Sequence, residues 1–488
     1  MESPVPLEPF PRFVRQRRDD SSFVVTLSEH PVPLGSVFDL MGRALHQLSE
    51  MFDSQQSMPS LLQLQLPLQP VHVLGWLSQQ EHEKKVFWSS RDRGLTFAGV
   101  SEAEHLQSET LQASEMIWST LKQVEKAQIP GLRYVGGMRF DALRSSSEHW
   151  SSWGASSWSL PRWTLSNDND QFYFSCTLRY RESDDFKLIL RDCREELAQL
   201  VWSDSPPVAS QPLQVLNRVD SPDQQGWTQR LDQSARWFEQ GKLDKIVWAR
   251  ETDLECQRQP SPLSWLLEWE DRSHDTFLFL FQPSKNVAFV GASPERLYAR
   301  EGRQIICEAL AGTAPRHPNL QEDQRLGAEL LASEKNRREQ KFVFDRIQTL
   351  LNECCSTVYG DWEPSLRKLQ HVQHLWSELR GDLLDNISDR ELLERLHPTP
   401  AVGGQPRELA VELLAAGEPF DRGWYAAPVG WIGPDGAELS VAIRSALVHH
   451  NHVYLYTGAG IVPGSQPDLE WQELAYKFKT FQDFFAMS

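Results

Sequence analysis

The chain has 488 residues, and its 49 lysines and arginines against 67 aspartates and glutamates give a formal net charge of −18. So acidic a chain repels phosphate backbones, and we therefore expect no nucleic-acid partner. Hydrophobic residues make up 40% and charged residues 24%, a globular balance that excludes disorder as the dominant state. No apolar run approaches the roughly 18 residues of a membrane span, and residues 1–20 lack the apolar stretch of a signal peptide. We therefore expect a cytoplasmic protein without membrane association.

The first two fifths of the chain mix helical and extended patterns. Apolar residues at helical spacing predict a helix over Val37–Met51. Residues 145–159, rich in serine, tryptophan and glycine, are predicted to form a surface loop. Prolines cluster with Asp and Ser at 203–212, and this cluster predicts a boundary between an N-terminal portion of the core (1–212) and a catalytic region (213–488).

Beyond this boundary, short strand patterns follow each other with turns between them, which favours an antiparallel, sheet-rich core. The six cysteines form neither a C-x-x-C pair nor a metal-binding spacing with histidine, so reduced thiols are expected. The adjacent Cys354 and Cys355 are predicted to pack at a helix end. The predicted strands are 245–249, 276–282, 287–291, 304–309, 427–432, 440–448 and 452–457, and the predicted helices are 224–239, 321–353 and 468–485.

One carboxylate stands out in the long predicted helix. Val343, Ile347 and Leu350 form an apolar stripe, and one turn before Val343 the stripe reaches Glu339. A buried, unpaired charge costs several kcal/mol, so Glu339 needs a cation, a metal ion or a proton. The ordinary explanation is a salt bridge to a basic residue of the same helix, namely Arg337, Arg338 or Lys341.

The last predicted helix carries a second group of charges, with Glu470, Glu473 and Lys477 on one face. Taken alone, Glu473 and Lys477 make an ordinary surface pair. Upstream lie Gly458 and Gly460, which permit close approach of a ligand to the backbone, although a tight turn would also explain them. Carboxylates without cysteine or histidine match the oxygen preference of Mg²⁺.

Two further charges could supply an acid and a base. Lys245 begins an apolar strand, where burial favours loss of its proton, and Glu295 follows a strand through a proline turn. Taken singly, each is an ordinary charge at a strand end.

Together these segments resemble the isochorismate synthases, members of the chorismate-utilising family that includes anthranilate, aminodeoxychorismate and salicylate synthases. The resemblance is strong from about residue 244 onward and thinner upstream, where SRDRG (90–94) and GGMRFD (136–141) match. It implies an α+β fold like that of anthranilate synthase component I, with large antiparallel sheets flanked by helices. The matching downstream motifs are KIVWAR (245–250), SPERL (293–297), ALAGTA (309–314), SEKNRRE (333–339), HPTPAVGG (397–404) and GAGIV (458–462).

The resemblance also implies a role for each matching residue. Lys245 would be the general base that activates water, and Glu295 the general acid, which requires a raised pKa at Glu295. Glu339 and Glu473 would hold Mg²⁺, with Glu470 nearby through water. The implied substrate-binding residues are Arg444, Lys477, the amides around Gly458 and Gly460, Gly312 lining the pocket, and His397 near the substrate ring.

The implied reaction is Mg²⁺-dependent conversion of chorismate to isochorismate, by water addition at C2 and loss of the C4 hydroxyl. Ammonia-using relatives carry a nucleophilic lysine where this chain has Ala311, or lack a lysine at position 245. No glutamine amidotransferase partner is therefore expected. Asn336 replaces an acidic residue of some relatives, and residues 372–375 (VQHL) favour the menaquinone or phylloquinone branch. Two alternatives stay open: a salicylate synthase that makes salicylate and pyruvate via isochorismate, and a catalytically silent chorismate-binding scaffold.

Overall fold

The computed structural model of the chain describes residues 22–51, 60–110, 114–127, 129–141, 144, 146–181, 183–206, 212–369 and 372–486. The helices in these ranges are α1 (Val37–Met51), α2 (Val73–Gln79), α3 (Glu115–Ala127), α4 (Phe186–Gln199), α5 (Gln224–Glu239), α6 (Pro262–Arg272), α7 (Leu320–Ala332), α8 (Glu334–Cys354), α9 (Asp389–Leu396), α10 (Arg407–Gly417) and α11 (Pro467–Phe478).

The strands of the described residues are β1 (Ser22–Thr26), β2 (Leu61–Leu68), β3 (Lys85–Ser89), β4 (Leu95–Ser108), β5 (Tyr134–Met138), β6 (Ser156–Asp168), β7 (Gln171–Arg179), β8 (Leu213–Ser221), β9 (Lys245–Cys256), β10 (Phe277–Ser284), β11 (Val287–Ser293), β12 (Arg296–Glu301), β13 (Gln304–Pro315), β14 (Cys355–Gly360), β15 (Ser365–Lys368), β16 (Val372–Leu383), β17 (Gly404–Gln405), β18 (Pro428–Ile432), β19 (Gly436–Val441), β20 (Ser445–His449), β21 (His452–Ile461) and β22 (Phe485–Ala486).

Two long runs of paired strands diverge from β6. The first run has the order β1-β2-β7-β6-β4-β3-β10-β11-β20-β21-β9-β8. The second has the order β6-β5-β18-β19-β12-β13-β16, with β14 and β15 also paired to β16. In both runs the pairing is antiparallel except between β1 and β2. The predicted α+β architecture with large antiparallel sheets is confirmed.

Strand β10 explains how the first run separates two hydrophobic cores. Phe277, Phe279 and Phe281 point into one core, while the intervening Leu278 and Leu280 point into the other. This alternation follows from the two-residue period of a strand. Helices α1, α2, α4 and α6 cover the leucine side, and the phenylalanine side shares its core with residues of the second run.

Strand pairs cross the predicted boundary at residue 212. In the sheet, β3 pairs with β10 and β5 pairs with β18, so strands from 1–212 are interleaved with strands from 213–488. The division itself stays a prediction. No helix in the described ranges is long and apolar enough to cross a bilayer. All six cysteines are free and buried, and Cys354 ends α8, which confirms the predicted packing at a helix end.

Three predicted segments were wrong in detail. The helix predicted over 321–353 is two helices, because the Oγ of Ser333 accepts a hydrogen bond from the Asn336 amide and caps α8. In the surface loop predicted over 145–159, Trp150 and residues 153–158 are buried, and β6 begins at Ser156. The last helix ends at Phe478, where a 3-10 helix (Lys479–Phe484) takes over.

Candidate active site

A pocket with about 680 Å³ of empty space lies where α8 and α11 meet strands of both runs. Its wall combines β13 and β16 from the second run with β21 from the first. Eight of the eleven residues predicted for the site line it, namely Glu295, Gly312, Glu339, Arg444, Gly458, Gly460, Glu473 and Lys477. The sequence motifs, spread over more than 160 residues, therefore converge on one pocket.

Lys245 lies directly behind this wall, at the start of β9, and is 0% exposed. Its Nζ is 3.0 Å from Oε1 of Glu339, which makes the two an ion pair without a hydrogen bond. The cation that balances Glu339 is thus Lys245, and none of the basic residues of its own helix. Gly460 on the neighbouring strand makes this possible, because a Cβ there would lie 2.3 Å from Oε1 of Glu339 and 3.1 Å from Cε of Lys245.

Glu295 occupies the two-residue connection between β11 and β12. Its backbone is fixed by Val441, whose amide donates to the Glu295 carbonyl at 3.0 Å, and by Ser440, whose hydroxyl donates to the same oxygen at 2.9 Å. Burial, partly opposed by the charge of Lys245, raises the pKa of Glu295 to about 8. A carboxyl with this pKa holds its proton at neutral pH, as a general acid requires.

Two cationic side chains converge on the opposite side of the pocket. Arg444 adopts a left-handed backbone with φ of 52°, and its Nη1 donates to the Lys477 carbonyl at 3.0 Å. Burial lowers the pKa of Arg444 to about 10, so it still carries its charge at neutral pH. The Nζ of Lys477 donates to the Gly458 carbonyl at 2.7 Å. The pair forms a fixed cationic surface suited to carboxylate groups.

The carboxylates of α11 have different partners. Glu473 faces the pocket and pairs with Lys477 at 2.7 Å, and although burial acts the other way, the charge of Lys477 lowers the pKa of Glu473. Glu470 lies behind it, 2% exposed, and accepts a hydrogen bond from Lys335 at 2.7 Å. Burial, followed by the charge of Glu473, raises the pKa of Glu470. The negative charge of Glu473 therefore disfavours ionisation of Glu470.

The metal set expected from the resemblance is present in part. Glu339 and Glu473 line the pocket from two helices. The pKa of Lys335 is raised by Glu470 first and then by Glu339 and Glu473, although burial alone would lower it. Among the described residues, however, no three His, Cys, Asp or Glu side chains converge as a metal-ligand group. Two pocket carboxylates with no nitrogen or sulfur ligand still suit Mg²⁺, which binds through one or two protein carboxylates.

Gly312 lies at a bulge in β13 with φ of 75°, where a Cβ would come within 3.0 Å of the Cβ of Asn336. Its carbonyl contacts a histidine that the sequence reasoning missed as a site residue, His374 on β16. The Nδ1 of His374 lies 3.2 Å from the Gly312 carbonyl and 3.1 Å from Oγ1 of Thr313. Burial, followed by the charges of Arg444 and Lys477, lowers the pKa of His374 to about 3.

His397 is the one predicted substrate contact that the structure does not bring to the pocket. Its Nε2 lies 3.2 Å from the Phe140 carbonyl, and its ring packs edge-on against the Phe140 ring at 5.4 Å. Among described residues, the histidine that lines the pocket is His374. Position 397 follows the last residue of α9 and is buried, whereas position 374 lies on a strand of the pocket wall, and the role of His397 near the substrate ring stays a prediction. The sequence feature that could have pointed to His374 is the motif VQHL (372–375), which contains it.

The pocket also includes two tyrosines that no sequence pattern had marked. Tyr425 and Tyr456 line it, and their rings stack at a centroid distance of 5.1 Å. A Cβ at Gly458 would lie 2.9 Å from the hydroxyl of Tyr425, so this glycine leaves room for the phenol. The two isolated tyrosines lie on segments far from each other in sequence, and only the fold brings them together.

Comparison with known proteins places this geometry in a family. A family model described as "Chorismate binding enzyme" matches residues 44–486. The chain belongs to this family. It is 30% identical over 431 residues to the isochorismate synthase MenF of Bacillus subtilis (strain 168), a match that covers 84% of this chain and 90% of that relative.

Two solved structures place the fold of this chorismate-binding family member. It superposes with a TM-score of 0.79 and 28% identity on MenF, the menaquinone-specific isochorismate synthase from Escherichia coli, covering 91% of this chain and 100% of that one. It superposes with a TM-score of 0.59 and 16% identity on anthranilate synthase component I from Streptococcus pneumoniae TIGR4, covering 83% and 92%. The second match supports the fold alone, and it confirms the predicted resemblance to that architecture.

Proposed function

We propose that this chain is an isochorismate synthase that converts chorismate to isochorismate. The observation that carries the proposal is the placement of Lys245 and Glu295, both buried and close enough for the charge of Lys245 to act on the pKa of Glu295. A buried amine beside a carboxyl that keeps its proton at neutral pH offers a base and an acid for one reaction. The similarity to two isochorismate synthases supports the same assignment.

In the proposed reaction, Lys245 accepts a proton from a water molecule while the oxygen of that water forms a bond to ring C2. The ring double bonds shift, the C4–O bond breaks, and Glu295 donates its proton so that the C4 hydroxyl leaves as water. One water enters and one leaves, so the product is an isomer of the substrate. Transfer of a proton from Lys245 to Glu295 through solvent restores the enzyme.

The substrate is a dianion, and the pocket offers the charges to hold it. Arg444 donates a hydrogen bond to the carbonyl of Lys477, and both side chains line the pocket. The amides around Gly458 and Gly460 lie on the same wall. We assign these groups to the two substrate carboxylates, which would orient the ring between Lys245 and Glu295.

The cofactor of the proposed reaction is Mg²⁺, with Glu339 and Glu473 as its protein ligands and Glu470 behind them. When bound, the ion supplies positive charge that fixes a substrate carboxylate and offsets the repulsion among these acidic groups. Both ligands are paired with lysines in this structure, Glu339 with Lys245 and Glu473 with Lys477. A metal ion held by these two carboxylates would leave each lysine free to contact water or substrate.

The deciding experiment is incubation of the purified protein with chorismate and Mg²⁺, with chromatographic identification of products and an EDTA control. Isochorismate as the product, lost on addition of EDTA, is the expected result. Salicylate with pyruvate would replace the proposal by a salicylate synthase. No turnover at any Mg²⁺ concentration would contradict both, and would favour a chorismate-binding scaffold.

The pathway and the setting form part of the same proposal. The similarity to MenF proteins favours the first step of menaquinone or phylloquinone synthesis, without an amidotransferase partner. Six free, buried cysteines agree with a reducing cytoplasm. The test is to express this chain in a bacterial strain that lacks its own isochorismate synthase for menaquinone synthesis. We expect menaquinone to be restored. Glutamine and ammonium should leave the product unchanged.

A further inference from the structure

An arginine from the N-terminal portion of the chain reaches the connection that carries Glu295. Arg91 follows β3 in the motif SRDRG, is 8% exposed, and its Nη1 donates to the carbonyl of Pro294 at 3.2 Å. The same guanidinium binds both carboxylate oxygens of Glu308, with Nη1 to Oε2 at 2.6 Å. One buried side chain thus links the catalytic acid's backbone to a buried carboxylate on β13.

The Pro294–Glu295 connection is short and is held from two sides. On one side, Val441 and Ser440 of β19 bind the carbonyl of Glu295. On the other side, the carbonyl of Pro294 is bound by Arg91. The two peptide planes that flank the Glu295 Cα are therefore each held through their carbonyl oxygen, so the direction of the Glu295 side chain depends on both contacts.

Glu308 both binds Arg91 and contributes to the electrostatic environment of Glu295. It is 2% exposed, and Arg296 also donates to its Oε1 at 3.0 Å. Although burial acts the other way, the hydrogen bond and charge of Arg91 lower the pKa of Glu308, which stays ionised. Arg91 and Arg296 both stack on the ring of Phe277, each with Cζ 5.5 Å from its centroid. The cluster is therefore rigid as well as charged.

We infer that Arg91 and Glu308 are positioning residues for the proposed reaction, holding the Pro294–Glu295 connection in place and setting the charge that Glu295 experiences. The inference rests on the proposed function, since it assigns a role to residues around the proposed acid. It also accounts for SRDRG, a motif far from the catalytic region in sequence that the pocket alone leaves without a role.

The electrostatic part of the inference has a defined sign. The charged groups that act on the pKa of Glu295 are Lys245 and Lys477, which lower it, and Glu308, which raises it. The phenol of Tyr425 also lies within electrostatic range of Glu295. Removing the negative charge at position 308 must therefore lower the pKa of Glu295, so that the acid loses its proton at a lower pH.

The test compares Arg91→Ala, Arg91→Lys and Glu308→Gln with Arg93→Ala. Arg93 is a matched control, because it lies in the same turn, is mostly buried, and donates to carbonyls of Ser273 and Thr276 instead of the acid's connection. Each variant is assayed with chorismate and Mg²⁺ from pH 6 to pH 9, and thermal unfolding reports whether it is folded.

We expect Arg91→Ala to lower kcat by about 10- to 100-fold with KM changed less than about threefold, because misplacement of a reacting group affects kcat most. Arg91→Lys keeps the charge and should recover part of kcat. Glu308→Gln should move the alkaline limb of the kcat profile to lower pH. Arg93→Ala should keep the wild-type kcat and the wild-type position of the alkaline limb.

Two results would overturn the inference: a kcat for folded Arg91→Ala or Arg91→Lys equal to that of Arg93→Ala, or an unshifted alkaline limb in Glu308→Gln. If Arg91→Ala does not fold, Arg91→Lys and Glu308→Gln decide the question by the same readouts. A wild-type protein without isochorismate formation would instead contradict the proposed function, so the two failures are distinguishable.

Discussion

Gly460 and Glu339 fit together because position 460 has no side chain: a Cβ there would lie 2.3 Å from Oε1 of the carboxylate. Gly460→Ala must therefore displace Glu339, and with it Lys245, whose Cε would be 3.1 Å from the same Cβ. We expect kcat/KM for isochorismate formation to fall by about 100-fold or more, as for other displaced catalytic groups.

The control for this variant is Gly35→Ala, since a Cβ at position 35 meets nothing within 4 Å. Both variants should keep the wild-type circular dichroism spectrum, and only Gly460→Ala should lose activity. A Gly460→Ala enzyme with wild-type kcat/KM would show that the pairing of Glu339 with Lys245 is irrelevant to catalysis.

Lys245→Ala should abolish hydration of the ring while leaving Mg²⁺-dependent binding of chorismate in place. Loss of a general base costs typically 10²- to 10⁴-fold in rate, so kcat should fall by about that range. Titration calorimetry with chorismate and Mg²⁺ measures the binding, and chromatography measures the turnover. Lys341→Ala is the control, because Lys341 is exposed and pairs with Asp345 on the surface of α8. Undiminished turnover in Lys245→Ala would remove the assignment.

Glu295 predicts a pH dependence of both activity and stability. Its pKa is about 8 in the folded chain against an ordinary 4.5, so between these values the folded chain holds a proton that the unfolded chain has lost. Activity should therefore fall as pH rises through about 8, and the folded state should lose stability between about pH 4.5 and pH 8.

Glu295→Gln isolates this effect, because the amide does not titrate. The variant should be inactive, and its free energy of unfolding relative to wild type should rise with pH, by up to roughly 5 kcal/mol above pH 8. Urea unfolding at pH 6 and pH 9 measures the difference. If the two proteins differ equally at both pH values, the carboxyl of Glu295 is not protonated in the folded chain.

The sequence predicted the site better than it predicted the segments around it. Charges that break an apolar pattern, such as Glu339 on the stripe of α8, are visible because burying them needs a reason. The partner that supplies the reason was not predictable: Lys245 lies 94 positions away on another element, and it reaches Glu339 through the fold. Local pattern favoured the basic neighbours Arg337, Arg338 and Lys341.

Two predictions, the one for residues 145–159 and the one for the pocket histidine, depended on which side of the fold a residue faces, and sequence pattern alone does not show this. Residues 153–158 are buried although serines are common among them, because strand pairing from Ser156 onward gives the backbone its partners and the tryptophans fill the core. His374 and His397 both occur in motifs, and sequence distance alone does not tell which of them faces the pocket. His374, at a strand position opposite the bulge of β13, lines the pocket, whereas His397 follows α9 and packs against Phe140.

His374 should act as a neutral group. Its pKa is lowered to about 3, so the ring is uncharged at neutral pH. Nδ1 donates to the Gly312 carbonyl, and Nε2 has no hydrogen-bond partner among the described residues. His374→Asn keeps a donor near the Nδ1 position and removes Nε2. We expect kcat/KM to fall by about tenfold, the size of one lost hydrogen bond.

The acid limb of the pH profile checks the charge state of His374. It should have the same midpoint in wild type and in His374→Asn, because a group with a pKa of about 3 does not titrate between pH 5 and pH 8. An acid limb near pH 6.5 that disappears in the variant would show that His374 is protonated and deprotonated during assays.

The carboxylates of α11 predict different responses to metal. Glu473 lines the pocket, whereas Glu470 lies behind it and is bonded to Lys335. Glu473→Gln should raise the Mg²⁺ concentration needed for half-maximal activity by about 100-fold or more. Glu470→Gln should raise it by about tenfold, the lower end of the range found for residues that support metal ligands. Activity assays over a Mg²⁺ series measure both values.

Direct binding separates a metal effect from a catalytic one. Calorimetry with Mg²⁺ and chorismate should show weaker metal binding in Glu473→Gln than in Glu470→Gln, and EDTA should inactivate both variants and wild type. Glu329→Gln serves as the control, since Glu329 pairs with Arg325 on the exposed face of α7. Equal Mg²⁺ requirements for all three variants would contradict the assignment of Glu473 as a ligand, because only this carboxylate among the three faces the pocket that holds Glu339.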